Sequence, residues 1–291
     1  RYSRWLRLDR DAPCGAQGAG RVAHAVSISP DHAQFLSTVA ELAAVTFLVG
    51  LLIGFIGAGG AGVAVAIMTT IFGLPAHTAV GTAIAAMLFV TASGTLSHFR
   101  EGNVAWKLGL VVGLAGAVGA VIGADGSQAI PDDLLAMAAG IALWILAALV
   151  WVRTRVAPAA IADLEWHGEP QRQPAEWGAA VGLGAVGGAG AAFFGVGMAP
   201  FLQLGLLANH HLPLRQTVGT TMLALVFISA SGGAAMARHG DVSLPHLIGL
   251  TIGLGSGAFV GARFTRRAPR SFLRAAVILV PLVAGAMLLF L

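Results

Sequence analysis

The amino-acid sequence predicts an all-α polytopic membrane protein made of two homologous helical repeats, each with a helix broken at glycine. Three observations lead there. The chain has 291 residues, 57% of them hydrophobic and only 10% charged, against about 25% charged in an ordinary soluble domain; its mean hydropathy is +0.82. Several apolar runs reach the roughly 20 residues that span a bilayer. Finally, the chain repeats itself at a constant offset of 138 residues. Gly57-Ala58-Gly59 returns as Gly195-Val196-Gly197, Leu74-Pro75 as Leu212-Pro213, and Val80-Gly81-Thr82 as Val218-Gly219-Thr220. Ala92-Ser93-Gly94 returns as Ala230-Ser231-Gly232, and the Arg100-x-Gly102-x-Val104 turn as Arg238-x-Gly240-x-Val242. A gap-free register of this length marks a duplicated unit.

The segments follow in order. Residues 1–35 hold five Arg and three Asp among scattered Gly, without an apolar h-region or a small-residue cleavage site. They are expected to be a polar tail, not a secretory signal peptide. The first repeat, 36–152, has long apolar runs near 36–56, 76–97, 106–124 and 134–152, with a short one at 61–72. Residues 153–176 gather Pro158, Pro170, Pro174 and most mid-chain charges, the composition of a polar linker. The second repeat, 177–291, has long runs near 177–194, 214–237, 244–260 and 272–291, and a short one at 199–208.

Loop charge bears on how the copies are related. The connection from Asp125 to Asp133 has three Asp and no Lys or Arg, whereas its repeat partner carries Arg263, Arg266, Arg267, Arg270 and Arg274. Cytoplasmic loops are rich in Lys and Arg, so equivalent loops are expected on opposite sides. That requires an odd number of crossings per copy and favours an inverted repeat of five passes each, with the linker cytoplasmic and both termini outside. The five Arg of the tail then lie on the unfavoured side, and a parallel four-plus-four bundle is the competitor.

The interruptions are the candidate site. Gly57, Gly59 and Gly60 in one copy, and Gly195 and Gly197 in the other, allow backbone dihedrals that a helix does not use. Within hydrocarbon, such a break persists only where protein or a watery cavity satisfies the freed backbone groups. The helix that follows begins with unpaired N–H groups and a positive dipole end, suited to an anion. Thr82, Ser93, Thr220, Thr221 and Ser231 lie on the helix after each break and could add hydroxyls, although each could instead bond its own helix. Gln203 sits in the second short run, where an amide needs a partner. Arg100 and Arg238, at equivalent helix ends, could draw an anion to each mouth or simply anchor the interface. By contrast, Gly109, Gly113, Gly116, Ala120 and Gly123 share one helix face, and Gly249, Gly253, Gly257 and Gly261 recur every fourth residue; both sets predict helix packing.

Other chemistries lack their residues. The one cysteine, Cys14, lies in the tail, so no disulfide framework or cysteine metal site can form. His77, His98, His210, His211, His239 and His246 adjoin loops without the i, i+4 spacing of paired ligands; they are expected to be solvated, with no metal and no other cofactor. The pI near 10.5 does not indicate nucleic acid, because the basic residues form no stripe with interleaved aromatics. No serine-histidine-carboxylate set can be assembled from long helices almost without acids, so no catalytic residue is assigned.

The G-x-G-G break, the Leu-Pro that follows, Ala79-Val-Gly-Thr-Ala83, Ser93-Gly94, the short R-x-G-x-V turn and the duplicated layout together resemble the sulfite exporter TauE/SafE family of small-anion permeases, over roughly residues 36–291. The resemblance implies transport of a sulfur-containing anion, such as sulfite or an organosulfonate, across the cytoplasmic (inner) membrane. Met198 and Pro200 stand where the first copy has Gly60 and Gly62, so the half-sites differ chemically. The expected mechanism is rocking of one repeat against the other around a site near the midplane. The expected partners are a small anionic substrate and the lipid bilayer, with a homo-oligomer left open. A membrane-embedded enzyme and a non-transporting structural or sensory subunit are the alternatives; the first lacks a catalytic set, and the second would not need repeated helix breaks.

Overall fold

The computed structural model describes residues 30–56, 60–156, 177–210, 212–265 and 270–290. Among them are ten helices and no strand: α1 (Pro30–Ile56), α2 (Ala61–Thr70), α3 (Ala76–Arg100), α4 (Trp106–Ser127), α5 (Asp132–Val156), α6 (Trp177–Phe194), α7 (Ala199–His210), α8 (Leu214–His239), α9 (Leu244–Thr265) and α10 (Arg270–Phe290). Helix α1 begins inside the segment expected to be tail, because proline fits the first helical turn, where its missing N–H is not needed. Helix α5 runs to Val156, into the expected linker. The rest of the tail and linker lies outside the described residues.

Local chemistry sets the boundaries identically in both copies. The first residues of α2, α3, α4 and α5 recur as those of α7, α8, α9 and α10 at the 138-residue offset. Pro75 and Pro213 open α3 and α8 with nearly the same backbone, φ −54° and −53° with ψ 144° in each, since the proline ring fixes φ. Gly102 and Gly240 leave the same two helices at φ 70° and 84°, left-handed values that other residues adopt at a cost. The short runs make separate helices of 10 and 12 residues. At 1.5 Å per residue these are about 15 to 18 Å long, near half the hydrocarbon thickness.

The glycine-rich faces are packing seams, as their spacing predicts, but they join different copies. A Cβ on Gly119 would overlap the backbone of Ala185, and one on Gly188 that of Gly116, so α4 lies directly on α6. Reciprocally, Gly257 faces Phe47 and Gly50 faces Leu254, so α9 lies on α1. The turns are exchanged as well. Gly81 abuts the Asp241 carbonyl, and Gly219 abuts that of Asn103. Ser243 N–H donates to Thr82 Oγ1 at 3.0 Å, and Ala105 N–H to Thr220 Oγ1 at 3.0 Å.

Contact order along the helices gives their relative direction. Gly81 lies beside Met236 and Asp241, Gly94 beside Met222, and Gly232 beside Ile84; numbers rise along α3 as they fall along α8. Helices α5 and α10 behave alike, with Gly140 near Leu288 and Leu289 and Trp144 Nε1 donating to the Leu282 carbonyl at 3.1 Å. Equivalent helices are therefore antiparallel, the arrangement of an inverted repeat. A parallel four-plus-four bundle would set them parallel, and that competitor is overturned.

The outer face is apolar: Leu48, Leu114, Val118, Ile122, Val186 and Phe259 are each more than half exposed. Such a belt suits lipid rather than water, and among the described residues five helices are long and apolar enough to cross a membrane. The chain is a multi-pass membrane protein. Sidedness can be read by cysteine labelling after Cys14 is replaced by serine. In sealed right-side-out vesicles, Ala129→Cys and Arg238→Cys should react with an impermeant maleimide, whereas Arg100→Cys and Thr265→Cys should not. Reaction of the repeat-equivalent positions 100 and 238 from the same side would contradict the charge-based orientation.

Candidate transport site

Of the predicted breaks, the second is described. Gly195–Met198 is non-helical between α6 and α7, and Gly195, Val196 and Gly197 are buried. Gly195 has φ 65°, and a Cβ there would lie 2.7 Å from Val80 Cγ2 and 3.0 Å from Val65 Cγ2. The break in the second copy is thus seated against α2 and α3 of the first. Gly57 and Gly59 lie outside the described residues. Gly60, half-buried, precedes α2, and its carbonyl accepts the Ala64 N–H at 3.0 Å.

The hydroxyls divide into three groups. Thr82 and Thr220 are fully buried, and their oxygens accept the inter-copy backbone bonds; the hydroxyl protons remain free to donate. Ser93 is exposed on the same face as Phe89 and Leu96, while half-buried Ser231 donates to the carbonyls of Phe227 at 2.9 Å and Ile228 at 3.1 Å. Ser93 thus faces outward, and the Ser231 hydroxyl is held by its own helix. Thr221 and Gln203 form the third group, 0% and 6% exposed. Thr221 Oγ1 and Gln203 Nε2 are buried without a hydrogen-bond partner, together with Thr95 Oγ1, His98 Nδ1 and Thr251 Oγ1 among the described residues. The other buried hydroxyls, such as Thr46, Thr91 and Ser229, bond carbonyls of their own helices.

Arg100 is exposed. Arg238, 65% exposed, lies 3.8 Å from Asp125, so a carboxylate already faces it. His77 and His239 correct the expectation of loop solvation, while His211 lies outside the described residues. His77 Nδ1 lies 2.7 Å from Asp132 Oδ1 and its Nε2 lies 3.0 Å from the Ser127 carbonyl. His239 Nε2 lies 2.9 Å from Asp125 Oδ1, and Gln128 Nε2 donates to Asp241 Oδ2 at 2.7 Å. These contacts tie the end of α4 to the end of α8 and the start of α3 to that of α5. Sequence spacing gave no sign of them, because every pair is joined across more than forty residues. A cavity of about 590 Å³ lies beside the second break, among Ile122, Val186, Phe193, Phe194, Met198 and Phe201. Its walls offer no polar side chain, and Phe201 projects from α7 about 200° away from Gln203, so this space is separate from the polar groups.

The arrangement of antiparallel copies, a buried left-handed break and unpartnered donors in an apolar protein is that of a membrane carrier. The family model described as sulfite exporter TauE/SafE matches residues 42–288. The chain belongs to this family. Among similar proteins, the probable membrane transporter protein YdhB of Bacillus subtilis (strain 168) is 40% identical over 246 residues, covering 84% of this chain and 98% of that protein. A probable membrane transporter protein of Xylella fastidiosa (strain 9a5c) is 24% identical over 223 residues, covering 75% and 83%. No solved structure matches the chain. This TauE/SafE protein is therefore a membrane transporter.

Proposed function

We propose that the protein is a permease for a small sulfur-containing oxyanion, such as sulfite or a short organosulfonate, in the cytoplasmic membrane, and that it is not an enzyme. The observation that carries this reading is the buried break at Gly195–Met198, seated against α2 and α3 of the other copy. There the backbone leaves the helix where lipid cannot solvate it, beside the first turn of α7. Helix N-termini and neutral hydroxyls stabilise an anion without a fixed counter-ion. The family description supplies sulfite; the relatives' names say membrane transporter only. The site comprises Gly57, Gly59, Gly60, Gly195 and Gly197 with Thr82, Thr220, Thr221 and Gln203. Ser93 and Ser231 contribute least, and Arg100 and Arg238 act at the mouths.

The exchange of helices changes the expected mechanism. With α6 locked on α4 and α1 on α9, the moving bodies are groups of helices drawn from both copies, not the sequence repeats themselves. Packing between α4 and α8 is closer than between the equivalent α9 and α3. Where α4 presents Gly109 and Gly113 to α8, α9 has the larger Leu247 and Thr251. Alternating access would loosen the first interface and tighten the second.

Purified protein in liposomes should move radiolabelled sulfite or a short sulfonate down its gradient, and should not move cations or amino acids of similar size. Transport of a cation in place of any oxyanion would overturn the proposal.

A further inference from the structure

The residues that wall the described break differ in chemistry from their repeat equivalents. At Gly195 the wall is apolar: Val65 of α2 and Val80 of α3 close over it, and Ala83 follows one turn beyond Val80. All three are at most 1% exposed. The repeat-equivalent residues are Gln203 on α7, then Val218 and Thr221 on α8. Inter-copy geometry is reciprocal at the joints and in the glycine seams, as at Thr82 with Thr220, Gly81 with Gly219 and Gly50 with Gly188, although α4–α8 packs more closely than α9–α3. By that pseudo-symmetry Gln203 is expected beside Val218, and Thr221 follows Val218 by about one turn of α8. Among the described residues, Gln203 Nε2 and Thr221 Oγ1 are buried without partners, whereas Val65 and Ala83 at the equivalent positions have no polar side-chain atom to satisfy.

A buried donor left unpaired is costly, and Val and Ala at the equivalent positions show that the fold does not need polar groups there. We propose that the side-chain donors of the substrate site are one-sided: Gln203 Nε2 and Thr221 Oγ1 donate to the oxyanion, while Val65 and Ala83 at the equivalent positions offer it no polar side-chain atom. This rests on the anion-permease reading and adds the residues that select the anion. Neither α7 nor α8 carries an acidic residue, so no side-chain carboxylate on these two helices opposes an anion. Selection by neutral donors favours small oxyanions rich in acceptor atoms, and it leaves the carrier without a buried charge when empty.

The test uses full-length protein, with sodium sulfite as the probe, in two assays: flux into proteoliposomes and thermal melting in detergent. Wild-type protein should move sulfite and melt at a higher temperature in its presence. Gln203→Val should raise the KM for sulfite about tenfold or more and abolish the sulfite-dependent rise in melting temperature. It should also raise the melting temperature of the sulfite-free protein, because an orphan amide is removed. Gln203→Glu, which keeps the shape and replaces the donor, should lose flux, and Thr221→Ala should raise KM independently, so the idea does not depend on one variant folding. Leu114→Ala, on the lipid face, is the control and should keep wild-type KM. Wild-type KM in both Gln203→Val and Thr221→Ala would overturn the one-sided site and leave the permease standing. A lower sulfite-free melting temperature with unchanged KM in Gln203→Val would mark the amide as packing and overturn it equally. Absence of flux for both sulfite and a short sulfonate in the wild type would overturn the permease reading and this inference with it.

Discussion

Gly195→Leu should abolish anion flux while the protein still inserts and remains monodisperse in detergent. Two costs fall on one residue. The left-handed backbone at φ 65° disfavours any L side chain by roughly 1–2 kcal/mol. The new Cβ would also meet the Val80 and Val65 methyls at 2.7 and 3.0 Å, and overpacking of this kind costs about 1–3 kcal/mol. Together these approach the lower end of the roughly 5–15 kcal/mol that holds a domain folded, so the break should deform before the whole molecule unfolds. Gly195→Ala, with the same backbone strain but less bulk, should fall between. Gly119→Leu is the contrast: its side chain would overlap the Ala185 backbone in the α4–α6 seam, and misassembled protein is expected. Normal flux from correctly inserted Gly195→Leu would place the site elsewhere.

Thr82→Val and Thr220→Val should each destabilise the protein by about 1–2 kcal/mol, the cost of leaving a part-buried N–H without its acceptor. The acceptors serve Ser243 and Ala105 at 3.0 Å each, at opposite ends of the antiparallel α3–α8 pair. Sites this far apart lose stability additively, so the double variant should show the sum as the largest drop in melting temperature of the three. Kinetics separate the two roles open to these hydroxyls. A lower melting temperature with unchanged KM for sulfite places the oxygen in the joint between copies alone. A raised KM, beyond what the loss of folded protein explains, shows that the hydroxyl proton also reaches the anion.

Much of the architecture was legible because membrane helices and their punctuation are local. Hydropathy marked the long runs, the Leu-Pro pairs and the Gly102 and Gly240 turns marked where they start and stop, and the 138-residue register paired every element with its equivalent. Loop charge pointed to inverted copies, and the antiparallel α3–α8 and α5–α10 pairs agree with it. The errors lie where local pattern is silent. Pro30 starts a helix inside the expected tail, since helix initiation by proline leaves no hydropathy signal. His77 and His239 are pinned by Asp132 and Asp125, which local pattern could not show because these partners are remote in sequence.

The candidate site divides in the same way. Gly195, Gln203 and Thr221 could be named from the sequence, because a glycine break and polar side chains in an apolar run stand out by composition. Which of them were already occupied could not. Thr82, Thr220 and Ser231 look alike in sequence, yet the first two hold the turns of the opposite copy and the last bonds its own helix. The sequence by itself determined that this is a duplicated, glycine-broken membrane protein, since burial in lipid and backbone freedom are written residue by residue. Only the tertiary structure decided that the copies exchange helices and that Gln203 and Thr221 are left buried without partners while Thr82 and Thr220 are engaged, because hydrogen-bond satisfaction depends on partners that the chain brings together only when it folds.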